Sequence, residues 1–440
     1  MPNVVWIKSQ WQNVARGFWF FPGVVALAGA ALAVGLVEID RTAGRDGVPA
    51  AFDGDASAAR TILETVAGSL ITVGGLAFSI TVVTLQLVSS QFTPRALRSF
   101  LGDRPSQLVA GAFVGIFVYC LLVLRVVRDD DGAGGFVPAL AVTGSIVLGL
   151  VGLVLLLVFI HRIAQLIKVE NIAAHIASET AAAVERLYPE EYGAETARDD
   201  APASWRATGA PAVVRPRRPG YVRAVALDDF ADAGLPETTR AHVSVRPGDQ
   251  VTRATVLMHV WPGEEIDAAA RERLRSLVSI QSERDVAQDA AFGLRQLADI
   301  AVRALSPGVN DPTTAVTCVG YLRDSLEILG GRRLPDRLRR LGETDLLVYA
   351  EAQGFREILH EAFAEIGRFV RTNARVAGAV LDALAGVAAS AARADAGERA
   401  ADAFELAEEI AGPAMEDART GPERRMLEAG LERVRTASLG

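Results

Sequence analysis

Hydrophobic positions are concentrated in the first 160 residues of the 440-residue chain, where four long apolar runs alternate with short charged loops. The runs cover residues 18–37, 64–91, 107–127 and 137–161. A helix of about twenty residues crosses about 30 Å of hydrocarbon. The pattern therefore predicts a four-span transmembrane bundle over residues 18–161, preceded by an interfacial segment, 1–17, whose tryptophans suit the headgroup layer. A cleaved signal peptide is the competing interpretation of the first run, but its length and the three later spans favour a membrane helix.

The pattern changes after residue 161. A helical neck is predicted over 162–187, and a stretch rich in Pro, Ala and charge at 188–219 is typical of a linker. Alternation with a period of two then predicts a small β module at 220–262, with strands near 221–227, 239–245 and 251–260. Helical spacing returns over 263–396, apart from one strand near 345–350, and residues 397–440 read as a helical or partly disordered tail.

These segments together predict the fold class. We expect a membrane α-helical protein with four transmembrane helices, joined to a cytoplasmic α+β domain in which a small β module is followed by a helical region. Cations flank the spans before the first run (Lys8), between the second and third (Arg95, Arg98) and after the fourth (Arg162). The positive-inside rule then places both termini in the cytoplasm.

The second run carries the most unusual pattern. Read with a 3.6-residue period, its Thr, Gly, Ser and Gln positions fall close to one stripe. The candidate pore-lining or helix-packing residues are Thr72, Gly75, Ser79, Gln86 and Ser90. Small and hydroxyl residues suit close helix packing, whereas copies of such a helix around an axis would line a hydrated path. The middle of the span holds no charged residue, which argues against a proton-coupled carrier.

Glycines in the next two runs suggest close helix contacts. Gly111 and Gly115 form a GxxxG pair in the third run, and three further glycines lie in the fourth. Such pairs let helix backbones approach each other, either within a subunit or between subunits.

Catalytic chemistry is sparse. The only lysines, Lys8 and Lys168, each follow isoleucine, so the sequence has no Gly-Lys-Ser/Thr phosphate loop. Cys120 and Cys318 form no CxxC pair, the five histidines form no HExxH motif, and no GxSxG elbow occurs. We therefore expect no enzyme, no cofactor and no metal site. The first 160 residues contain ten basic and ten acidic residues, so residues 161–440 carry the whole net charge of −8 and should not bind nucleic acid or anionic lipid nonspecifically.

One cytoplasmic segment, 282–315, stands out. We predict a helix that presents a candidate acidic face of Asp285, Asp289 and Asp299, offered to a subunit interface or a cation. A candidate interaction loop follows it, made of Arg303, Ser306, Pro307, Gly308, Asn310, Asp311 and Pro312. The alternative is that the loop only ends one helix and starts the next, because Asp311 is a good N-cap and Pro312 suits the first helical position.

Two resemblances add to this interpretation. The phrases Gly-Tyr-Val at 220–222 and Val-Arg-Pro-Gly-Asp-Gln-Val at 245–251 resemble pieces of the barrel-sandwich hybrid fold of biotinyl and lipoyl carriers. Those carriers are acylated on a hairpin lysine, which this module lacks, so the resemblance implies no attached cofactor. Two interpretations stay open: a scaffold or docking module of this fold, or an unrelated small sheet. The phrases Ser-Gln-Phe-Thr-Pro-Arg at 90–95 and Asp-Ile-Ala-Val-Arg-Ala-Leu-Ser-Pro-Gly-Val-Asn-Asp-Pro-Thr-Thr-Ala at 299–315 resemble the bacterial membrane protein family called domain of unknown function 2254. That resemblance implies a four-span bundle, a cytoplasmic region and a bacterial inner-membrane location, without an activity.

Two hypotheses follow for function. The first is an oligomeric channel-like or transport-related protein, its path lined by the second span and its cytoplasmic domain acting as gate or vestibule. The second is a membrane-anchored scaffold or sensor whose cytoplasmic domain binds a protein partner. Both place the chain in the lipid bilayer, and the first requires a homo-oligomer. An enzyme with paired carboxylates on the 285–299 helix is a third hypothesis.

Overall fold

The computed structural model describes residues 20–43, 52–91, 104–129, 135–166, 168–188, 205, 209–236, 238–334, 336–340 and 346–440. The interfacial segment predicted at 1–17 lies outside these ranges. The chain forms two compact units, Met1–Ile172 and Ala173–Gly440.

Long helices make up the first unit. They are α1 (Phe20–Ala43), α2 (Ala56–Gln91), α3 (Arg104–Leu124) and α4 (Ala139–Leu166), and they are followed by α5 (Val169–Leu187), which continues into the second unit. Each of the first four overlaps one predicted apolar run, and α2 contains its run completely. The helix α2 begins at Ala56 rather than at Glu64 because the Asp55 carboxylate accepts the Ala58 N–H at 2.8 Å, which caps the helix before the apolar run starts.

The helix α3 packs closely against α1 through glycines. A Cβ atom placed on Gly111 would lie 2.7 Å from the Pro22 Cα atom, and one on Gly29 would lie 2.5 Å from the Gly115 carbonyl oxygen. Neither position has room for a side chain, so the backbones of the two helices touch. The contact predicted for Gly111 and Gly115 therefore lies within the subunit.

Asp40, which follows the first predicted apolar run, is buried near the end of α1. Its two carboxylate oxygens accept the backbone N–H groups of Leu140 and Ala141 at 2.9 and 3.0 Å. The first turn of a helix has unpaired N–H groups, and a carboxylate satisfies them well. Asp40 therefore ties the end of α1 to the start of α4 and explains why α1 extends beyond the apolar run.

Two sheets around one core form the β part of the second unit. The strands are β1 (Ala212–Val214), β2 (Gly220–Val225), β3 (Arg240–Val243), β4 (Gln250–Val251), β5 (Met258–Trp261), β6 (Val278–Gln281), β7 (Leu338–Arg340) and β8 (Leu347–Ala350). The larger sheet has the order β1-β5-β3-β8-β7, with β3 and β8 parallel and the other pairs antiparallel, and the smaller has the order β4-β2-β6. Val222 and Val251 of the smaller sheet and Val243 and Val260 of the larger one share a core.

The β part extends beyond the predicted module at 220–262. The strands β1, β6, β7 and β8 lie outside that range, and only β8 falls where a separate strand was expected. The predicted strand 251–260 is split, because a turn closed by Thr252 and Thr255 sends β4 and β5 into different sheets. Runs of three or four residues in strands such as β1 and β7 are too short for alternation to identify them.

Helices form most of the second unit. They are α6 (Ala268–Ser276), α7 (Ala290–Leu305), α8 (Pro312–Gly331), α9 (Phe355–Phe369), α10 (Ala374–Arg393), α11 (Gly397–Glu416) and α12 (Gly421–Ser438). The helix α10 packs against α8, α11 and α12. Residues 397–440, expected to be helical or partly disordered, form α11 and α12, and a capping box of Thr420 and Glu423 starts α12.

Five helices of the described chain are long and apolar enough to cross a membrane, whereas the sequence predicted four. They lie within α1, α2, α3, α4 and α10. A multi-pass membrane protein is thus supported, and the number of spans is not settled by length and composition, because a helix that is apolar on most sides can be either a span or the centre of a globular core.

Candidate functional site

The polar stripe predicted on α2 lies on the exposed surface of the first unit. Thr72, Gly75, Ser79 and Gln86 are exposed, while the side chain of Ser90 lies outside the described residues. The opposite face is apolar and buried: its buried hydrophobic members are Ala56, Ala59, Leu63, Ala67, Leu70 and Ala77. The stripe therefore does not hold the four helices of one subunit together. If these residues serve helix packing, the packing must be between subunits.

The exposed positions recur in a seven-residue pattern. Spaced alternately by four and three residues, they are Thr61, Thr65, Gly68, Thr72, Gly75, Ser79, Val82 and Gln86. At about 100° per residue these positions form the middle of the exposed face, with Ile71 and Phe78 on one side and Leu76 and Val83 on the other. We call this set of eight residues the α2 stripe. A spacing of 3.5 residues is that of helices that coil around each other with a left-handed twist.

Hydrogen bonding differs along the α2 stripe. The hydroxyls of Thr61, Thr65 and Thr72 each donate to the carbonyl four residues earlier, at 2.9, 2.6 and 2.8 Å. These hydroxyls are satisfied within the helix. The Gln86 amide has no hydrogen-bond partner among the described residues, and an unpaired amide facing lipid is costly. Gln86 is thus the position that most requires a partner or water.

The exposed faces of α1 and α4 are different. They present large apolar side chains, including Leu27 and Val34 on α1 and Leu150, Leu153 and Leu157 on α4, each between 58% and 72% exposed. Such faces suit lipid tails directly. Among the outward faces of α1, α2 and α4, the one on α2 is the exception, because a polar line of small residues runs along its centre.

The predicted interaction loop joins α7 to α8 and is exposed. Its backbone is internally bonded: the N–H groups of Val309 and Asn310 donate to the Ser306 carbonyl at 3.0 and 2.9 Å, and that of Asp311 donates to the Ala304 carbonyl at 2.8 Å. Asn310 adopts the left-handed conformation, with φ of 49°. The loop is therefore a rigid turn that presents Pro307, Gly308, Val309 and Asn310 to solvent.

The other members of the interaction loop serve the ends of the two helices. Asp311 accepts the N–H groups of Thr313 and Thr314, both at 3.1 Å, and the Thr314 hydroxyl at 2.6 Å, which lowers the pKa of its carboxyl. Pro312 is the first residue of α8. The Ser306 hydroxyl donates to the Arg303 carbonyl at 2.7 Å, at the end of α7.

The predicted acidic face does not exist as one helix face, because α7 begins only at Ala290. Asp285 caps the 3₁₀ turn Val286–Gln288 and lies 3.4 Å from Arg223, and Asp289 caps α7 itself. Only Asp299 lies on the helix, where it pairs with Arg295 at 3.1 Å. The sequence pattern treated two capping residues as helical ones.

Asp289 is the most buried of the three carboxylates. Its side chain is 6% exposed, and Arg284 donates to it at 2.7 and 2.9 Å. Burial raises the pKa of this carboxyl, and the Arg284 guanidinium opposes that shift. Each of the three aspartates forms an ion pair with an arginine within 3.4 Å. The described residues contain no group of three or more side chains that could hold a metal ion.

A further cluster, absent from the sequence prediction, lies on the larger sheet. His259 of β5, His242 of β3 and Tyr349 of β8 are cross-strand neighbours in register. The alternation in β3 and β5 places these histidines on the face opposite the shared core. The sequence does not indicate that these residues are neighbours, because 107 positions separate His242 from Tyr349. They come together only because β3 and β8 are adjacent in the sheet.

Comparison with known proteins gives one family. The family described as "Predicted membrane protein (DUF2254)" matches residues 15–386. An uncharacterized protein of Mycobacterium bovis and uncharacterized proteins of two Mycobacterium tuberculosis strains are each 36% identical to the chain over 342 residues. These alignments cover 77% of this chain and 65% of each relative, so the chain spans just under two thirds of the length of the curated relatives. No solved structure matches the chain at a significant level.

Proposed function

The chain belongs to the DUF2254 family of predicted membrane proteins, and from that premise we propose that it forms an oligomeric, channel-like or transport-related assembly in the bacterial inner membrane. In this proposal, copies of α2 meet through the α2 stripe and line a hydrated path. The observation that carries it is the exposure of the stripe on the single subunit, centred on a helix face that would otherwise contact lipid.

The chemistry of the α2 stripe supports contact between copies. Glycine, serine and threonine let helices approach closely, and the seven-residue spacing suits a left-handed crossing of equivalent helices. Around an axis, Gln86 from each copy would find amide partners or water instead of lipid. The helix carries hydroxyls and an amide along this line, so the path would be polar and uncharged through its middle.

We further propose four spans, with α10 a core helix of a cytoplasmic second unit. Its Asp382 pairs with Arg433 of α12 at 2.5 Å, and a carboxylate in mid-span is costly in hydrocarbon. The neighbouring helix α12 carries exposed Arg424 and Glu428, which pair at 3.3 Å. A helix surrounded by such neighbours suits a water-soluble unit. Four spans and the positive-inside rule would give cytoplasmic termini, and in this proposal the second unit acts as a gate or vestibule.

The test is single-channel and liposome-flux recording on the full-length protein, with its mass measured in nanodiscs. We expect a multimer that conducts small ions or solutes, and we expect Ser79→Leu and Gln86→Leu to reduce the flux strongly while the multimer persists. Val83→Leu is the matched control, because it adds bulk to the same exposed face without removing a polar group. Unchanged flux in both stripe variants would reject the path, and a monomeric protein would reject the assembly itself.

The second candidate function is a membrane-anchored scaffold or sensor that binds a protein through the α7–α8 loop. The observation in its favour is that this loop is rigid, yet its exposed Val309, at 53% exposure, serves no contact in the core. Val309→Ser with Asn310→Gly would remove the exposed side chains and keep the left-handed turn, whereas changing Asp311 would damage α8. Cross-linking in cells should then lose a specific partner, and an identical set of cross-linked proteins would argue against this role.

A further inference from the structure

The threonine hydroxyls of the α2 stripe present oxygen, and not hydrogen, to the outside of the helix. Thr61, Thr65 and Thr72 each donate the hydroxyl proton to the carbonyl four residues earlier, at 2.9, 2.6 and 2.8 Å. A carbonyl oxygen only accepts and a hydroxyl has one proton, so each contact fixes where that proton lies. What these residues offer to a neighbour or a solute is therefore a hydrogen-bond acceptor.

These acceptors lie along one line on the helix. All three threonines are exposed, and from Thr61 to Thr72 the line is about 16 Å long at about 1.5 Å per residue. In an assembly around an axis, the copies of each threonine would form one level of oxygen atoms. Ser79 and Gln86, farther along the stripe, each carry donor and acceptor atoms, so they add oxygen without opposing this trend.

A carboxylate lies beside this line of oxygen atoms. Glu64 is exposed, directly precedes Thr65, and at about 100° per residue lies about 50° from the middle of the α2 stripe. Glu64 forms no ion pair with any residue that the structure describes. Arg60, one turn earlier, is paired with Asp129 at 2.6 Å, so its charge is already compensated. In an assembly, the copies of Glu64 would therefore surround one end of the path with negative charge.

Each feature taken alone has an ordinary explanation. An exposed carboxylate is usually solvated, and threonine hydroxyls often bond to their own helix. On α2 the two features share one face, and at the threonine levels that face has no donor to offer, because the hydroxyl protons and the backbone N–H groups are used within the helix. An anion would lose water there and gain no hydrogen bond in return.

We propose that the path along the α2 stripe conducts small monovalent cations in preference to anions. This inference rests on the channel-like function proposed above and names the class of solute. Oxygen atoms replace the water around a cation, and rings of acidic side chains are a feature of cation channels. The oxygens of Thr61, Thr65 and Thr72 are neutral, and a divalent cation such as Mg²⁺ gives up its water reluctantly, so the path suits K⁺ or Na⁺ better. Glu64 would raise the local concentration of cations at the entrance.

The experiment measures reversal potentials of the full-length protein in planar bilayers under gradients of KCl and CaCl₂, which give permeability ratios. We expect K⁺ to be roughly ten-fold more permeant than Cl⁻, and more permeant than Ca²⁺. Glu64→Gln keeps the size of the side chain and removes its charge, so it should lower the ratio of K⁺ to Cl⁻ permeability, most strongly at low salt. Thr72→Val, which removes the oxygen, should lower the K⁺ conductance, whereas Thr72→Ser, which keeps an oxygen, should conduct nearly as the wild type does.

Matched controls separate the path from general effects. Thr81→Val removes a hydroxyl with the same kind of bond, to the Ala77 carbonyl at 2.8 Å, from the other side of α2, and Glu38→Gln removes an exposed carboxylate from the end of α1. Both should keep the permeability ratio and the conductance of the wild type. A wild-type current without preference for K⁺ over Cl⁻, or one carried better by Ca²⁺, would overturn the inference and leave the path itself standing. Unchanged behaviour of both Glu64→Gln and Thr72→Val would do the same, whereas no current at all would reject the channel-like function and this inference together.

Discussion

At the residue scale, several carboxylates of this protein act as helix caps. Asp55, Asp289 and Asp311 each accept backbone N–H groups where α2, α7 and α8 begin, and Asp40 does the same for α4 from another helix. The first turn of every helix has N–H groups without partners, and a carboxylate satisfies them and complements the helix dipole. Acidic residues that resemble a binding site in the sequence are therefore used to start helices.

Asp311 gives a pH-dependent prediction. Hydrogen bonds from the Thr314 hydroxyl and from backbone N–H groups lower the pKa of its carboxyl below 3.8. The stabilisation is therefore fully present above pH 3.8 and is lost as the pH falls through the lower pKa of the folded state. At neutral pH we expect Asp311→Ala to destabilise the start of α8 by about 1 kcal/mol and Asp311→Asn to cost much less.

Hydrogen exchange of the amides at 313–316 measures this effect directly. The wild-type amides should be more protected from exchange than those of Asp311→Ala, and this difference in protection should become smaller below pH 3.8. The protection of these amides in Asp311→Asn should depend little on pH in that range. Equal protection of the wild type and Asp311→Ala at neutral pH would show that the cap contributes nothing there.

At the scale of elements, glycines on the membrane helices have two different roles. Gly115 lies where a Cβ atom would be 3.0 Å from the Val25 carbonyl oxygen, whereas a Cβ atom at Gly75 would meet nothing within 4 Å. The first position holds α3 against α1 inside a subunit, and the second lies on the exposed α2 stripe. Sequence spacing alone treats both as close-packing positions, and only the neighbouring helix distinguishes them.

The two glycines predict opposite outcomes for one substitution. Gly115→Leu should push α1 from α3 and destabilise the subunit by roughly 1–3 kcal/mol, because the crowded atoms are backbone and cannot rotate away. Gly75→Leu should leave subunit stability unchanged and weaken contacts between copies. Thermal unfolding in detergent reports the first effect, and mass photometry in nanodiscs reports the second. A Gly115→Leu protein as stable as the wild type would show that α1 and α3 do not touch at this point.

At the scale of the whole molecule, α10 determines the topology. It is apolar enough to be a span, but 56% of its most apolar window is buried inside the protein, and its mid-helix Asp382 is paired with Arg433. The helix α3 is buried to a similar extent, at 50%, so burial alone does not distinguish a span from a core helix. In the proposal of four spans, the charges on the neighbouring helices make that distinction, because charged side chains favour water over hydrocarbon.

Reporter fusions test the topology. With four spans, alkaline phosphatase, which is active only after export, should be inactive when fused after Leu187 and equally inactive after Gly440. A fusion after Ala43, between α1 and α2, should be active and serves as the positive control. Activity at Gly440 together with inactivity at Leu187 would make α10 a fifth span. Green fluorescent protein at the same positions should give the complementary pattern, because it fluoresces in the cytoplasm.

Local patterns predicted much of the fold because they depend on neighbouring residues. Apolar runs indicated α1 to α4 within a few residues, and the phrase at 299–315 indicated the turn between α7 and α8. Strands of three or four residues, such as β1 and β7, and the true start of α7 at Ala290 were missed. A short strand is defined by its partner across the sheet, and a capping aspartate has the same spacing as a helical one, so neither can be read from periodicity.

The sequence by itself determined the membrane character, the family, the polar line on α2 and the absence of familiar catalytic motifs, because each depends on composition or on spacing along one segment. Only the tertiary structure decided that the polar line is exposed, that Gly115 is covered by α1, that Asp40 caps α4, and that His242, His259 and Tyr349 share one sheet face. Exposure and contact depend on which distant segments fold over a residue, and residues 100 or more positions apart leave no shared pattern in the chain.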